Sequence, residues 1–278
     1  MSTSSLLTPL VDSPSGPFHL IMCPAAGASS SAFQTWRTLA PSPQLPSLTL
    51  VTYPGRDRLR HRAPAQSIAA LAETLAETLA DTRGTLDQRL PTVMAGHSMG
   101  AQVAFETCAR LRGCAHAPQS LVISGCHAPH EWGRRQLRTL DDSAFIEQLA
   151  DIGGCSAALL QAPELMALFM PLLRADFHAT ETYHRAFPTR DATLHLPTLL
   201  LCGRQDREAS PEEVAAWRYW LPQADIPTLL EGDHFYPLQR PSAFLHRVVQ
   251  HFSLHADQGR QPHEHPRRAT GPFRNTAG

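Results

Sequence analysis

The chain has 278 residues, of which 42% are hydrophobic, and its 24 basic and 25 acidic residues give a formal net charge of −1. This composition supports one large folded domain or two small ones, and no block of like charge indicates nucleic-acid binding. The N-terminus lacks the basic segment and long apolar core of a signal peptide, and no apolar run is long enough to span a bilayer. We therefore expect a cytoplasmic protein without membrane contact.

The six cysteines are scattered along the chain and form no CxxC pair. Several of them fall in apolar segments that are predicted to be strands or helices. Reduced thiols are therefore expected, in preference to disulfides or a metal site.

Short apolar runs alternate with amphipathic stretches along most of the chain. The predicted strands are continuously apolar, which is typical of strands that are buried on both faces. They cover residues 18–23, 47–53, 90–96, 120–125, 196–203 and 225–232. The predicted helices cover residues 31–39, 67–83, 99–111, 211–220 and 241–252. This alternation predicts an α/β fold with a mostly parallel central sheet flanked by helices.

One region interrupts the alternation, because residues from about 139 to 186 contain helical sequence without a convincing strand. An insertion between two strands of such a sheet lies over their carboxyl ends, where ligands bind. We therefore predict a helical lid, with a simple helical decoration as the alternative. Its apolar residues could line a substrate site or pack as ordinary core: Leu165, Met166, Leu168, Phe169 and Met170.

The domain organisation predicted from these patterns has three parts. Residues 1–16 are interpreted as an N-terminal extension, and residues 17–253 as one α/β domain that includes the lid. Residues 254–278 are polar and rich in Pro, Gly, Arg and His, so they cannot bury enough apolar surface to fold alone. A disordered tail is therefore expected there.

The segment 94–106 reads MAGHSMGAQVAFE and places Ser98 between Gly96 and Gly100, after a predicted strand and before a predicted helix. This arrangement is the context of a nucleophile elbow, in which a tight turn exposes the serine above the sheet. Side chains at the two glycine positions would collide with neighbouring backbone. We therefore predict that Ser98 is a nucleophile; a tight turn with an incidental serine is the alternative.

A serine nucleophile needs a base, which an acid usually orients, and on this scaffold the order along the chain is serine, acid, histidine. Among 15 histidines, His234 is predicted as the base because it follows the last predicted strand and precedes the last helix. Asp206 follows the preceding strand and is predicted as the acid. Asp233 is the competing choice, but it neighbours His234 in sequence, and adjacent side chains seldom face each other.

Two backbone N–H groups are expected to stabilise the oxyanion that forms during attack. Met99 follows the serine and begins the predicted helix, whose partial positive charge favours an anion. The second donor is expected in the loop after the first predicted strand, where CPAAGASS consists of small residues. Ala26 is the predicted donor, with Ala25 as its neighbour, and a plain turn is the alternative.

Several motifs together resemble type II thioesterases of polyketide synthase and non-ribosomal peptide synthetase systems, a branch of the α/β-hydrolases. The resemblance covers residues from about 18 to 252. The motifs are CPAAGA at 23–28, YPGR at 53–56, GHSMGA at 96–101, PLLRADF at 171–177, ETY at 181–183, GRQD at 203–206 and GDHFY at 232–236. Two positions depart from the family pattern: Cys23 replaces a phenylalanine, and Ala28 replaces the second glycine of its loop.

The resemblance implies an α/β-hydrolase fold and an editing enzyme that hydrolyses acyl groups from the phosphopantetheine arm of carrier proteins, or releases intermediates or products. It implies that carrier domains are the partners, that the arm belongs to the substrate, and that no metal or redox cofactor is needed. A monomer is expected. The residues alone support a serine hydrolase and leave three alternatives open: a generic carboxylesterase, an acyltransferase that excludes water, and a carrier-binding protein with dispensable catalysis.

Overall fold

The computed structural model describes residues 6–81, 89–155 and 157–258. Within these ranges, seven strands form one sheet in the order β1-β3-β2-β4-β5-β6-β7. β1 pairs antiparallel with β3, and the other neighbouring strands are parallel. The strands are β1 (Leu7–Val11), β2 (His19–Cys23), β3 (Ser47–Val51), β4 (Thr92–His97), β5 (Ser120–Ser124), β6 (Thr198–Gly203) and β7 (Thr228–Leu230).

Nine α-helices connect or cover these strands in the described part of the chain. They are α1 (Gln34–Arg37), α2 (Ile68–Asp81), α3 (Met99–Arg110), α4 (Asp142–Ile152), α5 (Ala157–Leu160), α6 (Pro163–Glu181), α7 (Pro211–Ala215), α8 (Tyr236–Gln239) and α9 (Pro241–Gln258). Short 3-10 turns precede α1 and follow α7, so two of the predicted helices are only partly α-helical.

The predicted α/β fold with a mostly parallel sheet is confirmed, and all six predicted strands are present. The strand β1, in which Leu7 lies opposite Val51 of β3, falls within residues 1–16, for which the sequence predicts only an N-terminal extension. Proline interrupts this strand at Pro9, which an edge strand tolerates. The helix α9 continues to Gln258, so the prediction of a disordered tail is wrong for residues 254–258. The rest of that tail, from residue 259 onward, and the end of the helix predicted to residue 83 lie outside the described residues.

Successive side chains of the central strands point into two apolar layers on opposite faces of the sheet. In β2, Ile21 and Cys23 pack in one layer, whereas Leu20 and Met22 pack in the other. Residues of α2 and α3 cover the first layer, and residues of α9 cover the second. Since both faces are covered, each central strand is apolar at nearly every position, which produces the continuous apolar runs in the sequence.

The carboxyl ends of β2 and β4 form the switch point of the sheet. The chain leaves β2 for β3 on one side, and it leaves β4 for β5 on the other. At this edge Cys23, the last residue of β2, is the register partner of Gly96 in β4. Ligands bind where parallel strands diverge in this way, so this edge is the expected position of a site.

The insertion predicted at 139–186 contains α4, α5 and α6, and it lies between β5 and β6. The Asp141 side chain caps α4 by accepting a hydrogen bond from the Ala144 N–H at 2.9 Å. Thr180 of α6 donates to Gln102 of α3 at 2.8 Å, which ties the insertion to the body of the protein. The insertion has an apolar cluster of its own, which we call the lid cluster: Leu137, Phe145, Leu149, Met166, Met170 and Leu173.

Candidate active site

Ser98 occupies the turn between β4 and α3 with a φ of 54° and a ψ of −125°. Residues other than glycine rarely adopt a positive φ, so the surrounding structure must hold this strained conformation. The Ser98 N–H donates to the Ser124 carbonyl oxygen at 2.9 Å, and the Ser98 carbonyl accepts from the Ala101 N–H at 2.9 Å. The turn is thus held by β5 on one side and by α3 on the other.

Glycine is required on both sides of this serine. A Cβ atom at Gly96 would overlap the carbonyl group of Gly100, and a Cβ atom at Gly100 would overlap the carbonyl group of Cys23. Both obstacles are backbone atoms, which cannot move aside as a flexible side chain can. The collision expected from the sequence is therefore present at both positions.

His234 and Asp206 are hydrogen-bonded to each other next to this turn. The Nδ1 atom of His234 lies 3.0 Å from both carboxylate oxygens of Asp206. Asp206 also accepts hydrogen bonds at Oδ1 from the N–H groups of Glu208, at 2.8 Å, and Ala209, at 3.1 Å. The Asp206 side chain is 0% exposed and that of His234 is 7% exposed, so the contact is shielded from water.

The environment of Asp206 favours its ionised form. Burial alone raises the pKa of the carboxyl group, but the hydrogen bond from His234, the charge of this imidazole whenever it is protonated, and the Glu208 N–H outweigh burial. The pKa of Asp206 therefore lies below its ordinary value. An ionised acid at this position orients the imidazole so that Nδ1 carries a proton and Nε2 is free to act as a base.

Asp233, the competing acid, is directed elsewhere. It is exposed, and its Oδ1 accepts a hydrogen bond from the Phe235 N–H at 2.8 Å. Its carboxylate also accepts from the side-chain amide of Gln239 at 3.0 and 3.1 Å. Asp233 therefore stabilises the start and end of the short helix α8, whereas Asp206 contacts His234.

His97, the residue before the serine, packs directly against the predicted base. It is 2% exposed, and its ring centre lies 4.8 Å from that of His234. Its Nδ1 atom lies 2.9 Å from the Ser124 Oγ atom, which in turn shares a hydrogen bond with the Tyr236 hydroxyl group. Burial and the neighbouring His234 lower the pKa of His97 to about 3, so this imidazole is neutral near pH 7.

The two predicted oxyanion donors belong to two different segments, the start of α3 and the loop after β2. Met99 is the first residue of α3, so its N–H group has no carbonyl one turn earlier in the helix. Ala26 lies in a turn closed by a hydrogen bond from the Ala28 N–H to the Ala25 carbonyl oxygen at 3.2 Å. Gly27 has a φ of 71° at the third position of this turn, as type II turns require.

A cavity of about 510 Å³ lies between this turn and the lid, and both Ser98 and His234 line it. The turn residues from Ala25 to Ala28 form one wall. The remaining apolar wall comes mostly from the lid and the segment after β7: Leu149, Ile152, Leu159, Phe169, Leu173, Phe177, Phe235 and Leu238. The site is therefore an apolar chamber with a few polar groups at its base, which suits an acyl chain.

A second, smaller cavity of about 90 Å³ shares Ser98 and His234 with the first. It extends along the segment after β5, where Gly133, Arg134 and Arg135 line it. The two cavities meet at the serine, so a ligand bound there has room on both sides of the reacting atoms.

The five lid residues singled out in the sequence have different positions. Phe169 lines the larger cavity and is 44% exposed, whereas Met166 and Met170 are buried in the lid cluster. Leu165 and Leu168 are 50% and 76% exposed on the surface of α6. Phe169 therefore fits the interpretation that these residues line a substrate site, whereas Met166 and Met170 fit the alternative of ordinary packing.

Within the described ranges, no group of three or more His, Cys, Asp or Glu side chains is arranged to hold a metal ion. All six cysteines have free thiols. None of the helices in the described part of the chain is long and apolar enough to cross a bilayer.

Comparisons with known proteins give a consistent result. The family model of the thioesterase domain matches residues 18–253. The chain is 42% identical over 229 residues to the probable anguibactin biosynthesis thioesterase AngT of Vibrio anguillarum, covering 82% of this chain and 88% of AngT. It is 36% identical over 229 residues to the thioesterase PikA5 of Streptomyces venezuelae, covering 80% of this chain and 76% of PikA5.

Two solved structures have the same fold and a similar sequence. YbtT, a type II thioesterase from the yersiniabactin NRPS/PKS biosynthetic pathway, is 50% identical with a TM-score of 0.83, covering 90% of this chain and 99% of YbtT. RedJ, a thioesterase from the prodiginine pathway of Streptomyces coelicolor, is 33% identical with a TM-score of 0.72, covering 87% of each chain.

Proposed function

Because the chain belongs to the thioesterase family of α/β-hydrolases, we propose that Ser98, His234 and Asp206 are its catalytic triad. The chain is a type II thioesterase, a serine hydrolase that acts on thioesters, as its motifs predict. We propose further that its substrates are acyl groups on the phosphopantetheine arm of carrier domains, and that it edits or releases intermediates of polyketide or non-ribosomal peptide synthesis.

The observation that supports the triad most strongly is the shielded hydrogen bond between His234 Nδ1 and both oxygens of Asp206. It lies beside a serine that the chain holds in a strained turn at the base of the largest apolar chamber described above. A strained serine and a histidine that line one cavity, with a buried aspartate hydrogen-bonded to that histidine, are the parts that nucleophilic acyl transfer needs.

The first half of the reaction forms an acyl-enzyme. His234 Nε2 takes the proton from Ser98 as Oγ bonds to the acyl carbon, and the carbonyl oxygen becomes an oxyanion. The N–H groups of Met99 and Ala26 donate to that oxygen. The carbon–sulfur bond then breaks, and the imidazolium returns its proton to the departing thiolate of the arm.

The second half reverses these roles with water. His234 removes a proton from a water molecule as its oxygen attacks the acyl carbon, and the oxyanion forms again in the same place. The bond to Ser98 breaks, Oγ regains the proton, and the free acid leaves. Each step uses protein groups alone, so the proposed mechanism needs no metal or redox cofactor.

The two cavities suggest how the substrate lies. The larger chamber beneath the lid has an apolar wall and takes the acyl chain. The smaller cavity passes Arg134 and Arg135 and takes the end of the arm that carries the sulfur. A carrier domain then remains outside the protein, and its phosphate and acidic groups can meet arginine side chains.

Mass spectrometry of a panel of carrier domains, each loaded with a different acyl group, tests this function. Incubation with the enzyme should return the free arm on those carriers whose acyl groups fit the chamber, and water should supply the oxygen of the released acid. Loss of the acyl group to an added alcohol or amine, with no free acid, would instead identify an acyltransferase.

A further inference from the structure

Two buried charged side chains hold the turn that contains Ala26, and neither has a part in the mechanism above. The Asp176 side chain, on α6, accepts a hydrogen bond at Oδ2 from the Gly27 N–H at 2.8 Å. Its Oδ1 accepts from Arg56 Nη2 at 2.7 Å, and Arg56 Nη1 donates to the Ala28 carbonyl oxygen at 3.0 Å. The side chains of Asp176 and Arg56 are 2% and 3% exposed.

The next residue in the chain extends this support. Asp57 accepts hydrogen bonds from the Ser30 N–H at 2.8 Å and from the Ser30 hydroxyl group at 3.0 Å. Three carboxylate or guanidinium groups therefore contact the backbone of residues 27–30. The loop consists of small residues, so these polar contacts contribute strongly to holding its conformation.

A buried ion pair in this place needs an explanation, because removing two charges from water costs free energy that their attraction often fails to recover. Aspartate is also an unfavourable residue in the interior of a helix. The Gly27 N–H accounts for the arrangement. It is a partly buried donor, Asp176 supplies its acceptor, and Arg56 neutralises the charge that this brings into the interior.

The hydrogen bond to Asp176 determines the direction of one peptide unit. A trans peptide is planar, so the N–H of Gly27 and the C=O of Ala26 point in opposite directions. While Gly27 donates to α6, the Ala26 carbonyl oxygen points away from α6. Without that acceptor the peptide can rotate, since glycine adopts positive and negative φ with similar ease. The Ala26 N–H belongs to the preceding peptide unit, so rotation affects it through the ψ angle of Ala26 and the shape of the turn, which lines the cavity.

We propose that Asp176 is a positioning residue, which fixes the turn so that the Ala26 N–H donates to the oxyanion, and that Arg56 holds Asp176 in place. This inference rests on the proposed function, because it takes Ala26 as an oxyanion donor. In this proposal the contact between the lid helix α6 and the turn stabilises the transition state. Binding of the substrate in the ground state does not depend on that contact.

The test uses D176N. Its amide has one oxygen, which can accept from either Gly27 or Arg56, and its NH2 group then faces the other donor. The matched control is R174Q. Arg174, also on α6, donates to the Leu140 carbonyl oxygen at 2.7 Å and to Asp142 at 2.6 Å. It stabilises the lid without touching the turn. Both variants, the wild type and S98A are assayed with one acyl-carrier thioester.

Two inhibitors separate positioning from folding. A trifluoromethyl ketone analogue of the acyl-pantetheine forms a tetrahedral oxyanion with a serine, whereas the thioether analogue binds but forms none. D176N should lower kcat about 100-fold, as the loss of one oxyanion donor does, with KM nearly unchanged. Its affinity for the ketone should fall by the same factor and its affinity for the thioether should be unchanged. R174Q should lower Tm and leave kcat and both affinities near wild-type values.

The inference is overturned if D176N weakens ketone and thioether binding equally, or if R174Q loses as much kcat as D176N at a similar loss of Tm. If D176N does not fold, R56K replaces it, because lysine keeps the charge beside Asp176 but cannot bridge to Ala28 with a planar fork. The same selective loss of kcat and ketone affinity is expected from R56K. An inactive wild type or an active S98A would instead show that the proposed function fails.

Discussion

Replacement of Asp206 by asparagine tests how the acid acts on His234. The Oδ1 atom of Asp206 accepts hydrogen bonds from the N–H groups of Glu208 and Ala209. In D206N the amide oxygen should keep those two bonds, because an NH2 group cannot accept them. The NH2 group then takes the place of Oδ2, which lies 3.0 Å from His234 Nδ1, so it repels the Nδ1 proton and favours the tautomer in which Nδ1 accepts. The proton therefore moves to Nε2, and His234 can no longer act as a base toward Ser98.

The expected loss follows from this change of tautomer. An acid-to-amide change in a serine triad that leaves the geometry intact lowers kcat by about 10⁴-fold, which corresponds to about 5.4 kcal/mol of transition-state stabilisation at about 1.36 kcal/mol per factor of ten. D233N is the matched control, because Asp233 contacts Phe235 and Gln239 and should affect turnover only mildly. The assay is steady-state thioester hydrolysis by both variants. A greater loss in D233N than in D206N would refute the assignment of the acid.

Three further predictions concern pH, the lid and the partner. In the folded protein the pKa of His97 is lowered to about 3. Below about pH 6.5 the unfolded chain therefore binds a proton that the folded chain does not, and the free energy of unfolding decreases as the pH is lowered. The unfolding free energy of the wild type minus that of His97→Asn should therefore decrease by up to about 1.36 kcal/mol for each pH unit as the pH is lowered from 6 to 4. Urea unfolding measures this difference, and a difference that stays constant with pH would contradict the prediction. Phe169→Ala should change the preference for acyl-chain length. Met170→Ala, in the lid cluster, should mainly lower the free energy of unfolding, by about 2–5 kcal/mol. Equal changes in acyl-chain preference and in melting temperature in both variants would contradict the assigned positions. All 24 basic residues are arginines, whose side chains bind carboxylates and phosphate well. The value of kcat/KM should therefore be higher for an acyl group on a carrier than for the same group on coenzyme A or a short thiol, and added salt should reduce this difference. Equal values at every salt concentration would favour a generic esterase.

The fold was accessible from the sequence because strands covered on both faces leave continuous apolar runs. β1 left no such signal. It lies at the edge of the sheet, most of its residues are only partly buried, and Pro9 interrupts it. Its place follows from pairing with β3, which is a contact between distant segments and is not visible in the local sequence.

The spacing of residues in the sequence reduced the candidates for the active site to a few, but it did not distinguish between the last two candidates at a given position. Asp206 and Asp233 both lie after a strand at the same edge of the sheet, and the hydrogen-bond partners of each carboxylate distinguish them. Phe169 and Met170 are adjacent in an apolar helical segment, and the sequence does not reveal which of them turns toward a cavity. The geometry of the folded chain was needed for both.

The contact between Arg56 and Asp176 joins residues 120 positions apart. Neither residue has a local feature that indicates burial, since a charged side chain is predicted to be exposed. Both lie within motifs, YPGR and PLLRADF, that were noted only for their resemblance to a family. Their physical role becomes visible when the lid helix and the turn are seen to meet.

The central claim is that Ser98 attacks the acyl carbon of a thioester, and intact-protein mass spectrometry after rapid mixing tests it most directly. Wild-type protein mixed with an acyl-carrier thioester and quenched early should carry one acyl group, located by proteolysis on the peptide that contains Ser98. S98A should carry none, and its turnover should fall by several orders of magnitude while its Tm is preserved. An acyl group on another residue, or hydrolysis by S98A at the wild-type rate, would contradict the mechanism.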